Sequence, residues 1–136
     1  MRSVISGYEE NMLSAEEICS SIKNYLDERK ALDIVDVSLV GKSTIADYMV
    51  IANGTSQKHI QMMAELLKEH LHGLGVRPVL IEGANTSDWV LLDTGPVIVH
   101  LFRPEVRSLY NLEKMWGSEF AGFSPKAVAE NSPTHL

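Results

Sequence analysis

Asp47 to Ala52, which reads DYMVIA, constrains the fold of this chain more than any other segment. Its apolar run is nearly continuous rather than alternating, the pattern of a strand covered on both faces. Such a strand needs structure above and below it, and the following residues begin to supply it. Asn53-Gly54-Thr55-Ser56 turns the chain, and Ile60, Met63, Leu67, Leu71 and Leu74 then lie along one side of a helix that Gly73 and Gly75 end. Val76 to Ile81 reads as the next strand, with Pro78 favouring its start or an edge position. Strand, helix and strand at this spacing predict a right-handed parallel crossover.

Upstream, Ser14-Ala15-Glu16-Glu17 has the form of a capping box, with Leu13 and Ile18 at the staple positions. Ile18, Ile22, Tyr25 and Leu26 recur at helical spacing, so a first helix is expected from about Ala15 to Lys30. Ile34 to Val40 is a β-branched strand that Gly41-Lys42 ends. Downstream, Ser87 to Phe102 (SDWVLLDTGPVIVHLF) reads as an antiparallel hairpin. With Thr94-Gly95 as its loop, Asp93 faces Pro96, Leu91 faces Ile98 and Trp89 faces His100. Trp89, Leu91, Asp93, Ile98 and His100 then share one sheet face, and Val90, Leu92, Val97, Val99 and Leu101 the other. The second set is core by composition and the first is mixed. Pro104 can open a last helix at its first position. Residues 1–13 read as an N-terminal extension, 14–117 as one domain, and 118–136 as a mobile tail without sustained periodicity.

A chain of 136 residues, 45% hydrophobic and 22% charged, is the size of one domain with a real core. Its single cysteine, Cys19, leaves no internal disulfide and fits a reducing compartment. The first residues lack the apolar run of a signal sequence, and no stretch approaches the roughly 20 apolar residues that span a bilayer. A cytoplasmic protein is expected. A formal charge of −6 argues against binding nucleic acid through its phosphates and suits a basic protein partner.

Catalytic chemistry finds little support in the residues. Gly54-Thr55-Ser56 at a strand-to-helix turn can cradle a phosphate, but it lacks the Gly-x-x-x-x-Gly-Lys-Ser/Thr and Gly-x-Gly-x-x-Gly spacings, which favours a plain N-cap and tight turn. Such a turn opens the active site of nucleotidyltransferases. That chemistry also needs two carboxylates at alternate positions of a following strand to hold a divalent metal. No Asp-x-Asp follows here, and Asp33 and Asp36 are three apart and point to opposite faces of a strand. Of the five histidines, His70 and His72 diverge on a helix and the others are isolated, so no metal site or cofactor is expected. His100 and Asp93 lie far apart along the hairpin, which favours a structural His100 packed on Trp89 over a base and its orienter. Arg107 to Trp116 (RSLYNLEKMW) instead carries the residue types of binding hot spots.

Several blocks in order carry a resemblance. They are Ala46 to Ser56 (ADYMVIANGTS), Glu82-Gly83, Asp88 to Asp93 (DWVLLD), Val99 to Phe102 (VHLF), and Arg107 with Tyr110 to Trp116 (YNLEKMW). Over roughly Ile18 to Gly117 the chain resembles the ribosomal silencing factor family, also called Iojap or RsfS. The resemblance implies a single α/β domain with a five-stranded mixed sheet flanked by helices, nucleotidyltransferase-like but without the catalytic carboxylates. It implies no enzyme activity and a homodimer in the free state. It further implies binding to large-subunit ribosomal protein fourteen (uL14), which blocks subunit joining and represses translation under nutrient limitation. The partner-facing features then correspond to Trp89, Leu91, Asp93 and His100 on the hairpin, and to Arg107, Tyr110, Leu112 and Glu113 after it. A nucleotide-binding enzyme using Gly54 to Ser56 is the alternative.

Overall fold

The computed structural model describes residues 13–83 and 88–109, with side chains to residue 106. Helix α1 spans Ala15–Glu28 and opens with the expected capping box. The Glu17 amide donates to Ser14 Oγ at 3.1 Å, and the Ser14 amide donates to Glu17 Oε1 at 2.9 Å. Its stripe of Ile18, Cys19, Ile22 and Leu26 is buried. The helix stops short of the expected Lys30 because the chain adopts a left-handed conformation there, at φ 74°. The Lys30 and Ala31 amides then reach back to the carbonyls of Asp27 and Leu26, both at 3.0 Å, closing a Schellman cap. Helix α2, Gln57–Gly73, ends the same way. Gly75 at φ 86° is its left-handed residue, and the Gly75 and Val76 amides bond the carbonyls of His72 and Leu71.

Five strands form one mixed sheet in the order β1-β2-β5-β4-β3. They are β1 (Leu32–Ser38), β2 (Tyr48–Asn53), β3 (Leu80–Glu82), β4 (Trp89–Asp93) and β5 (Val97–Phe102). Strand β2 lies parallel to β5 and antiparallel to β1, and Met49, Val50, Ile51 and Ala52 are all buried, as their unbroken apolar run requires. Strand β3 is antiparallel to β4, which is antiparallel to β5. It therefore runs parallel to β2, as the crossover reading expects, but with β5 and β4 inserted between the two. It is also shorter than Val76 to Ile81, beginning only after Pro78, which has no N–H for a ladder. Pro104–Leu109 is helical, α3, with Pro104 at its first position as expected.

The hairpin corrects the expected register. Asp93 pairs with Ile98, Leu91 with His100, and Trp89 with Phe102. The Thr94 amide bonds the Val97 carbonyl at 3.0 Å, while the Val97 amide donates to Thr94 Oγ1 at 3.1 Å. Gly95-Pro96 is thus the central pair, with Gly95 at φ 97° supplying the left-handed first position that suits a tight hairpin. Moving the turn by one residue moves every partner by two, so the faces keep their predicted membership. Val90, Leu92, Val97, Val99 and Leu101 join the core beneath α1 and α2. Trp89, Leu91, Ile98 and Phe102 form a second cluster on the opposite face with Leu39, Ala46, Met49 and Ile51.

Candidate partner-binding surface and the closed glycine turn

The turn between β2 and α2 is closed by its own side chains. Ser56 Oγ caps α2 by accepting from the His59 amide at 3.0 Å. The Thr55 amide donates to His59 Nδ1 at 3.0 Å, and since an amide only donates, that ring nitrogen is the acceptor. His59 Nε2 then carries the hydrogen and donates to the Arg29 carbonyl at 2.9 Å, tying the turn to the end of α1. The Gly54 amide is spent on the Phe102 carbonyl at 2.8 Å. A Cβ on Gly54 would lie 2.7 Å from Ile60 Cγ1, so this glycine allows close packing of α2. The Gly54 and Thr55 amides are therefore both bonded within the chain, and neither supports the phosphate-cradle reading. The bridging role of His59 was missed in the sequence; its local signal is the four-residue spacing from Thr55, but the Arg29 partner is remote.

The carboxylates do not converge either. Asp36 pairs with Lys23 at 2.9 Å, and Asp33 accepts from Asn53 Nδ2 at 3.3 Å. Asp88 holds the start of β4 to α2 and to the end of β5, accepting from Gln57 Nε2 at 2.9 Å and lying 3.4 Å from an Arg103 guanidinium nitrogen. Among the described residues no group of three or more His, Cys, Asp or Glu side chains is placed to hold a metal ion.

The sequence-predicted surface residues divide by depth. His100 is 0% exposed, Trp89 5% and Leu91 6%, so these three lie beneath the surface of the chain rather than on it. An exposed Trp89 is thus not what the fold presents. Its indole N–H donates to His100 Nδ1 at 2.9 Å, and the His100 ring stacks on Phe102 with centroids 5.7 Å apart. Burial pushes the His100 pKa from 6.5 down to about 3, which keeps the ring neutral and able to accept. Asp93 is half-exposed and one carboxylate oxygen accepts from the Gly95 amide at 2.9 Å, fixing the turn rather than orienting His100. Arg107 lies in α3, while Tyr110, Leu112 and Glu113 fall outside the described residues.

Turn, sheet and helices together define an α/β domain whose strand-end loop bonds its Gly54 and Thr55 amides within the chain. The chain belongs to the ribosomal silencing factor family: the family model described as "Ribosomal silencing factor during starvation" matches residues 12–135. It is 49% identical over 116 residues to the ribosomal silencing factor RsfS of Zymomonas mobilis, covering 85% of this chain and 86% of that protein. A mouse protein named mitochondrial assembly of ribosomal large subunit protein 1 is 36% identical over 94 residues, 67% of this chain and 41% of its own length. A crystal structure from Chromobacterium violaceum, 30% identical, superposes with a TM-score of 0.73 over 85% of this chain and 98% of that one. The family's name is that of a regulatory factor.

Proposed function

We propose that this protein binds the large ribosomal subunit through ribosomal protein fourteen (uL14) and blocks joining of the two subunits, repressing translation in the cytoplasm when nutrients are limiting. Membership of the silencing factor family over residues 12–135 carries the reading. The mouse relative's name, which couples it to the large subunit, supports the choice of subunit. A charge of −6 suits a basic ribosomal protein. The contact surface is proposed to comprise Asp93, Arg107, Tyr110, Leu112 and Glu113, with Trp89, Leu91 and His100 as the buried layer that sets its shape. The free protein is proposed to be a homodimer.

Sucrose-gradient sedimentation of the tagged protein with purified subunits tests this reading. Comigration with free large subunits, and a lower yield of joined ribosomes as the protein is added, are expected. Confinement to the top fractions at every salt concentration would overturn it. Calorimetry with nucleotides and magnesium is expected to give no heat of binding, since the Gly54 and Thr55 amides are already bonded within the chain.

A further inference from the structure

The outer edge of β3 is built differently from that of β1, the other margin of the sheet. Strand β1 breaks register between Leu32 and Val35, holds Asp33 at φ 51°, and carries the Lys23–Asp36 ion pair, devices that discourage strand addition. Strand β3 is itself short, three residues after Pro78 with one exposed charge, but it pairs regularly with β4 through all three and has no register break. Its Ile81 packs into the core beneath the helices. Leu80 and Glu82 alternate with it onto the opposite face, where Leu80 is 59% exposed and Glu82 is exposed. Leu80 is paired with the half-exposed Asp93, and beside them lies a cleft of about 210 Å³ lined by Pro78, Leu80, Asp93, Thr94 and Gly95. Among the described residues no further strand pairs with this edge, which presents one apolar side chain and two carboxylates.

From this we infer that the β3 edge receives an extended basic segment of a protein partner as a sixth strand, with Leu80 packed beneath it and Glu82 and Asp93 meeting its Lys or Arg side chains. Charge selects the occupant. RNA phosphates would be repelled by both carboxylates, and a second copy would bring two more carboxylates and no cation among its own edge residues. Arg77, the basic side chain nearest in sequence, reaches the His72 carbonyl at 3.5 Å on the α2 side. Main-chain bonds supply attraction and the alternating side chains supply selectivity. The inference rests on the large-subunit reading and names the mode by which that partner is engaged.

The test uses the full chain and purified large subunits, with wild type, Leu80→Ser and Glu82→Lys compared by filter binding at several salt concentrations. Backbone hydrogen exchange at β3 is followed in the same complexes. Both substituted side chains are exposed, so urea melts near wild type are expected and the variants report binding. Glu82→Lys is expected to weaken binding about tenfold at low salt and to flatten its salt dependence, Leu80→Ser to weaken it several-fold, and the β3 amides to exchange more slowly in the wild-type complex. Wild-type binding with both variants unchanged and β3 exchange unaltered overturns the inference and leaves the large-subunit reading standing. No binding by wild type overturns both. A concentration-dependent dimer whose affinity rises in Glu82→Lys assigns the edge to a second copy and also overturns it.

Discussion

Trp89 and His100 show how one hydrogen bond changes the meaning of two residues. A large aromatic and an imidazole on a hairpin are hot-spot types when exposed, but here each satisfies the other inside the fold. Trp89→Ala is therefore expected to cost about 3–5 kcal/mol in urea melts, the range for truncating a buried large aromatic. His100 also makes stability depend on pH. Its folded pKa is depressed from 6.5 to about 3, so below pH 6.5 the unfolded chain takes up a proton that the folded chain refuses. Its contribution is complete above pH 6.5 and declines as pH falls toward 3. His100→Leu should remove this part of the slope while lowering stability at pH 7.5 by about 1–3 kcal/mol, because the indole loses its acceptor. Melts of both proteins at pH 7.5 and pH 5 compare the two; parallel losses would mean that His100 does not titrate between the states.

At the scale of elements, the β2–α2 turn concentrates the local determinants. Gly54→Ala forces a methyl to within 2.7 Å of Ile60, a fully buried side chain, and should destabilise the fold by about 1–3 kcal/mol through overpacking. Ser56→Ala removes the cap of α2 at a cost of about 1 kcal/mol. Thermal melts distinguish these from a ligand role, in which Ser56→Ala would leave the melt unchanged and alter binding instead. The caps were legible beforehand because a capping box or a helix-ending glycine is written within a few consecutive residues. The Schellman ending of α1 was not, since Lys30 occupies the left-handed position where glycine or asparagine would have advertised it.

For the whole molecule, the balance of charge decides how a partner is approached. Asp93→Lys should slow association with large subunits and reverse part of its salt dependence, with a melt near wild type once the Gly95 amide finds water as its acceptor. Stopped-flow mixing at low and moderate salt measures this; an unchanged association rate would remove Asp93 from the encounter surface. The proposed domain limit at residue 117 has its own test, since truncation after Gly117 should leave subunit binding nearly unchanged. The family match continues to residue 135, so a large loss would transfer function to the terminal segment.

By itself the sequence determined the parts with short range: the order and type of the elements, the capped starts of both long helices, the two-sided burial of β2 and the division of the hairpin's side chains between two faces. Each is written in residues close together in sequence, as a periodicity of two or 3.6, an unbroken apolar run or a capping motif. It also carried the family, in blocks spread from Ala46 to Trp116. Only the tertiary structure decided which turn residues closed the hairpin, that β5 and β4 separate β2 from β3, and that His59 reaches Arg29 across thirty positions. It likewise decided that Trp89 and His100 are interior. Alternation tells which face a side chain takes, but burial depends on what the rest of the chain brings to that face, and the contacts that decide it join residues distant in sequence.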